Sequence, residues 1–236
     1  MRRFFIECTM TPLALIPHFD PLRMPVLGID TDLPAVDPAQ LSPQALRQRF
    51  AAPPVWQPEV VLEKKFTQRS PSHAAVLIPL VMREQPTVLL TQRTAHLSTH
   101  SGQIAFPGGK ADEGDADSAA TALREAWEEV GLEARYVDVL GNLPVYVTGT
   151  AFIITPVVAL VDPAHRLTLN ANEVADAFEV PLAFLMDPAH HRRHALELEG
   201  VRHEWFSMPW SDGAQERFIW GATAGMLRNF YRFLSA

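Results

Sequence analysis

Cysteine is nearly absent: Cys8 stands alone in 236 residues, which excludes an intramolecular disulfide and fits a reducing compartment. Long apolar runs are missing too. No stretch approaches the roughly 18 consecutive apolar residues that cross a bilayer. The basic and apolar start, Met1-Arg2-Arg3-Phe4-Phe5-Ile6, is interrupted as a signal core by Glu7, Pro12 and Pro17. Positive charge is in deficit, with 20 Lys and Arg against 27 Asp and Glu and a net charge of -7, which argues against broad binding to nucleic acid or an anionic membrane. Internal repeats are lacking, and so are low-complexity tracts outside a proline-rich arm. A cytoplasmic location is expected. With 47% hydrophobic residues at this length, the chain can bury the core of one globular unit.

The arm is residues 1–58, read as an irregular extension with one short helix. Ser42 is placed to cap that helix and Pro43 to open it, with the helix running to Phe50. Leu46 and Phe50 would pack on the main unit or on a second subunit, so a homodimer is left open. Residues 59–236 form the main domain. Within it, the apolar run 74–82 and the β-rich run 87–92 read as a hairpin around Glu84-Gln85-Pro86. Residues 136–140 and 152–161 supply further strands, and Pro156 suggests an edge or a bulge. Residues 195–199 and 201–208 alternate around Gly200 as another hairpin, and the stretch from Ile219 through Leu234 reads as an amphipathic terminal helix with Trp220 structural. His190-His191-Arg192-Arg193-His194 lacks metal-ligand spacing and reads as a solvated basic turn. Strands on both sides of one amphipathic helix indicate an α/β fold with a mixed sheet between helices.

That helix belongs to the stretch from Gly108 to Leu132. Glu125, Glu128 and Glu129 fall within roughly a 100° arc of a helix that turns about 100° per residue. Ala119, Leu123, Ala126, Trp127 and Val130 are expected to pack on the other side. Three carboxylates on one face repel one another, and a hard divalent cation that prefers oxygen ligands gives them a reason to share it. Phe106-Pro107-Gly108-Gly109 lies in front, where glycine lets backbone approach a ligand closely. Asp117 or Ser118 is the expected N-cap and Gly131 the left-handed C-cap, and Arg124 can pair with Glu128 at i,i+4.

These residues resemble the Nudix box, the motif of hydrolases that cut a nucleoside diphosphate linked to a further group. Arg124-Glu125-Ala126-Trp127-Glu128-Glu129-Val130-Gly131-Leu132 matches the second half of that motif in full. The first half departs from it, with Ala116 at the usual upstream Glu position and Asp115 one residue earlier. The lengthened spacing Gly108-Gly109-Lys110-x-Asp112-x-x-Asp115 resembles the coenzyme A diphosphatase branch. Leu89-Leu90-Thr91-Gln92-Arg93-Thr94, followed by His96-Leu97, His100, Gly102-Gln103 and Phe106-Pro107-Gly108-Gly109, is similar to that branch's upstream motif. Ser98 stands where the branch has Arg or Lys. Thr148-Gly149-Thr150 and the segment from Glu173 to Leu182 also resemble the branch.

The resemblance implies a Nudix α/β/α sandwich and hydrolysis of coenzyme A or its derivatives to 4'-phosphopantetheine, or its acyl form, and 3',5'-ADP. It implies Mg²⁺ or Mn²⁺ held by Glu125, Glu128, Glu129 and the Gly109 carbonyl, with Arg124 orienting the carboxylates. Arg93, Phe106, Gly108 and Gly109 are the expected substrate contacts. The general base is one of the glutamates, with Asp112 or Glu113 as alternatives. Ser98 keeps ADP-ribose, dinucleotides and oxidised nucleotides open as substrates, and a non-catalytic nucleotide-sensing module is the second alternative. The partner is a small nucleotide in each case, not nucleic acid or a membrane.

Overall fold

The computed structural model describes residues 20–65, 67, 70–95, 102–198 and 200–236. Its elements open with the short strand β1 (Gly28–Ile29) and helix α1 (Pro43–Ala51), followed by β2 (Ser72–Val81), β3 (Thr87–Arg93), β4 (Ile104–Ala105) and β5 (Gly108–Lys110). Helix α2 (Ser118–Val130) leads to β6 (Val137–Asn142), β7 (Tyr146–Val147), β8 (Phe152–Val161) and β9 (Val174–Pro181). Then come α3 (Leu182–Leu185), β10 (Arg192–Leu198), β11 (Val201–Ser211), β12 (Glu216–Trp220) and α4 (Gly221–Leu234). No described helix is long and apolar enough to cross a membrane.

The two longest apolar runs form the centre. β2 and β8 pair in parallel along their whole length, from Ser72 opposite Phe152 to Val81 opposite Val161. Strands covered on both faces read as continuous apolar runs, and a parallel pair requires a crossover connection. Here α2 lies in that connection. Around the pair, a mixed sheet of eight strands runs β4-β3-β2-β8-β6, with β5 added to β2, β7 to β8 and β9 to β3. One face packs α2, with Ala122, Ala126 and Val130 against Ala75, Leu77, Val157 and Ala159. The other packs Ile78, Leu80, Val158 and Leu160 against Leu227 and Phe230 of α4 and Met208 of β11. The second sheet, β1-β10-β11-β12, is antiparallel. A mixed sheet between helices gives the α/β class expected from the sequence.

Some local expectations are corrected. Pro156 is at neither an edge nor a bulge of its own strand: β8 lies between β2 and β6, and Pro156 pairs with Val76. Its missing N–H falls opposite the break between β6 and β7, where its carbonyl accepts from the Leu143 N–H at 2.9 Å. Ile219 and Trp220 belong to β12, so α4 starts only at Gly221. The histidine run is not a solvated turn. His191 and His194 are 0% and 3% exposed, because His191 is held by the Leu185 carbonyl and Arg228, and His194 by the Pro25 carbonyl and Ser207.

Residues of the arm lie in the same core as the sheet. Val36, Leu41 and Leu46 are buried in the cluster that holds α4, and Phe50 and Trp56 sit against Phe233 at ring-centroid distances of 4.8 and 5.3 Å. Arg228 of α4, 1% exposed, pairs with Asp30 at 2.9 Å and with Glu59 at 2.7 Å, and Arg193 bonds both carboxylates at 2.8 Å. His191 donates from Nε2 to the Leu185 carbonyl and accepts at Nδ1 from Arg228, which fixes a neutral tautomer. Burial holds its pKa down to about 4. Burial also pushes the Asp30 and Glu59 carboxyls up, but Arg193 and Arg228 outweigh it and leave both below their ordinary values. Carboxylates lowered in this way contribute stability above their unfolded pKa and lose it as pH falls through the folded one. Arg228→Met is therefore expected to cost about 3–5 kcal/mol at pH 7, with the difference from the unaltered chain shrinking below about pH 4. Urea denaturation at both pH values checks this.

Candidate active site

Helix α2 is fixed at both ends by its own sequence. Asp117 Oδ1 accepts the Ala120 N–H at 2.8 Å, and Gly131 at φ +69° donates to the Ala126 and Trp127 carbonyls. The chain that follows β8 is bonded to this end, since the Thr168 and Asn170 N–H groups donate to the Val130 and Glu129 carbonyls at 2.8 and 2.9 Å. Trp127, expected to pack, is 56% exposed. The helix stands on its small residues Ala122 and Ala126, and one residue further, about 100° around, points away from the contact. Glu129 takes a place on the buried side instead, at 3% exposure.

Arg124 organises the acidic face. Its guanidinium donates to both oxygens of Asp115 at 3.0 Å, to Glu125 at 3.0 Å, to Glu128 at 3.1 Å and to the Lys110 carbonyl at 2.9 Å. The Glu128 pairing was legible as an i,i+4 contact. Asp115 was not, because a loop residue nine positions earlier carries no periodic mark. Hydrogen bonds from Arg124 hold the Asp115 carboxyl well below the usual range, and Asp115 in turn raises Arg124.

Glu125 lies against backbone. A Cβ on Gly109 would meet its carboxylate carbon at 2.5 Å, so only glycine leaves that space. Burial raises the Glu125 pKa, Arg124 pulls it down, and Glu128 and Glu173 add to the rise. Glu129 accepts the Gly108 N–H at 3.1 Å and faces Arg93 Nη1 at 3.6 Å. Burial pushes it up to about 7, partly offset by Gly108 and Arg93 and reinforced by Glu125 and Glu173. Arg93 Nε is buried and bonds no described residue. Glu173, which opens a segment that resembles the coenzyme A diphosphatase branch, acts electrostatically on two of the helix carboxylates. It is brought there by Asn170, which donates to it at 3.3 Å.

Other expected site residues lie apart. Phe106, expected at the substrate, is 2% exposed and packs in the main core, which leaves Gly108 and Gly109 as the accessible part of that loop. Asp112, at 73% side-chain exposure, and Glu113 stand out in solvent. The turn at Thr148-Gly149-Thr150 is organised by Glu63, which accepts the Tyr146 hydroxyl at 2.6 Å and the Gly149 N–H at 2.9 Å. His96, Leu97, Ser98 and His100 lie outside the described residues.

The donor set fits a hard divalent cation. Burial is the largest cause that raises Glu125 and Glu129, and neighbouring carboxylates add to it against Arg124 and Arg93, so a bound cation would relieve both effects. No side chain separates the Gly109 backbone from Glu125, and among the described residues the candidate ligand atoms on this face are oxygens, as Mg²⁺ and Mn²⁺ prefer. Among the described residues no three acidic, His or Cys side chains are drawn into a cage, because Glu125 and Glu128 are held on Arg124 and Glu129 on Gly108.

The NUDIX domain profile matches residues 71–208. A protein of Enterobacter sp. (strain 638) called "Uncharacterized Nudix hydrolase NudL" is 44% identical over 155 residues, which is 66% of this chain and 79% of that one. A protein of the same name from Yersinia pestis (strain Pestoides F) is 39% identical over 180 residues, 76% of this chain and 88% of its own. Among solved structures, a MutT/nudix family protein from Enterococcus faecalis aligns at a TM-score of 0.42 with 17% identity, covering 70% of this chain and 62% of that one.

Proposed function

Because the chain belongs to the NUDIX domain family, hydrolases of nucleoside-diphosphate-linked substrates that use divalent cations, we propose that it cleaves coenzyme A or its acyl derivatives. The products are 4'-phosphopantetheine, or its acyl form, and 3',5'-ADP. The observation that carries this reading is the lengthened run from Gly108 to Asp115. Asp115 engages Arg124 from one residue before the family's usual acidic position, while Ala116 at that position is exposed.

Glu125, Glu128, Glu129 and the Gly109 carbonyl would hold Mg²⁺ or Mn²⁺. When bound, such a cation neutralises diphosphate oxygens and makes a coordinated water a better nucleophile. Arg124 orients Glu125 and Glu128. Arg93 meets a phosphate oxygen through a charge-assisted hydrogen bond. A water oxygen attacks one phosphorus, the bond from that phosphorus to the bridging oxygen breaks, and the departing phosphate keeps the bridge. A carboxylate of the helix cluster accepts the proton of the attacking water. Asp112 and Glu113, the alternative bases, stand in solvent, whereas the helix cluster faces Gly109.

Ser98, in place of a basic residue, favours a second reading in which the same chemistry acts on ADP-ribose, a dinucleotide or an oxidised nucleotide. The test is product analysis with Mg²⁺ or Mn²⁺ and four compounds in parallel: coenzyme A, ADP-ribose, NADH and a nucleoside triphosphate. Phosphopantetheine and 3',5'-ADP are expected above all other products. Preference for another compound sinks the coenzyme A reading, and no metal-dependent turnover on any favours a nucleotide-sensing module.

A further inference from the structure

Strand β3 sends Gln92 and Arg93 to opposite faces of the large sheet. Arg93 reaches toward Glu129 on the α2 side. Gln92 meets β12 on the other, where Arg217 Nη1 donates to its Oε1 at 2.7 Å. The same guanidinium donates from Nη2 to Asp176 of β9 and lies over the Phe178 ring at 4.2 Å. Arg217 is 5% exposed, so the guanidinium at the centre of the clamp is shielded from water.

Gln92 and Asp176 are cross-strand partners, and they form the last regular pair before the register slips. Arg93 pairs with Val174, so β9 spends one additional residue, Ala175, over this step. As a result Val174 and Ala177, three apart, both pack on the α2 side. A bulge re-aims the side chains beside it, and the side chain next to this one is Arg93.

We propose that Arg217 is a positioning residue for Arg93. By tying Gln92 and Asp176 together at the bulge, it fixes the direction in which Arg93 leaves β3, and hence its reach to Glu129 and to a substrate phosphate. The inference rests on reading Arg93 as the phosphate contact. A rigid planar fork suits this task, because each nitrogen end holds a different strand.

A double-mutant cycle of Arg217→Gln and Arg93→Ala tests it, using whichever of the four compounds above gives the highest kcat/KM with Mn²⁺. Calorimetric binding of the same compound without metal gives a second readout. Arg217→Gln alone is expected to lower kcat/KM by about tenfold or more. In the Arg93→Ala background it is expected to add less than about twofold, with dissociation constants following the same pattern. Equal losses in both backgrounds overturn the positioning role while leaving Arg93 at the phosphate. Full activity of Arg93→Ala overturns the phosphate reading, and the positioning role falls with it. If Arg217→Gln fails to fold, Asp176→Asn repeats the cycle, since that side chain is 43% exposed and the isosteric amide oxygen can still accept from Arg217 while the charge is removed.

Discussion

Glu129→Gln is expected to lose about a thousandfold in metal-dependent turnover, because several kcal/mol of charge stabilisation go with one ligand charge. The fold is expected to survive. Gln has the same shape, and its carbonyl oxygen can still accept the Gly108 N–H that Glu129 accepts at 3.1 Å. Stability separates charge from shape further. The Glu129 carboxyl, raised from 4.5 to about 7 by burial, binds its proton more tightly in the folded chain than in the unfolded one. The contribution of this group to folding is therefore greatest below about pH 4.5 and is lost as pH rises through about 7. Without metal, the unaltered chain is expected to lose up to roughly 3 kcal/mol relative to Glu129→Gln across this window. Urea denaturation of both proteins at each pH measures it, and parallel profiles would contradict it.

The adjacent glycines should fail in different ways. Gly109→Ala places a Cβ 2.5 Å from the Glu125 carboxylate. That group ends a flexible side chain, so it can swing away and the fold can adapt. Turnover is expected to fall about a hundredfold, as it does when a reacting group is misplaced by an ångström, with little change in melting temperature. Gly108→Ala instead drives a Cβ to 2.5 Å from the Ala75 carbonyl oxygen and 2.6 Å from the Val76 Cα. These are backbone atoms of the central strand and cannot yield without breaking the β5–β2 ladder. A loss of at least about 2 kcal/mol in stability is expected, as for overpacking a core. Thermal melts beside kinetics distinguish the two, and equal melting temperatures would contradict the assignment.

What the sequence displayed was local. The caps of α2 at Asp117 and Gly131, the cap of α1 at Ser42 and the ends of β8 follow from residues within a few positions of one another. Features decided across the chain did not show. Trp127 is exposed because the sheet takes the face of α2 that carries Ala122, Ala126 and Val130, and Trp127 lies outside it. His191 is buried because Arg228, 37 residues later, supplies its hydrogen-bond donor. Phe106 stands within a loop motif that suggested a ligand, yet the space beneath the loop is the core. The carboxylates of the site were legible as a helical arc. Their anchors, Asp115 for Arg124 and the 168–173 segment for Glu173, required the folded chain.

The central claim is that the α2 carboxylates hold a divalent cation, and Mn²⁺ binding to the substrate-free protein, followed by electron paramagnetic resonance, tests it most directly. Bound Mn²⁺ is expected with the unaltered chain, weakened at least about tenfold in both Glu125→Gln and Glu129→Gln. Mn²⁺ bound equally well by all three proteins would place the cation elsewhere and contradict the claim.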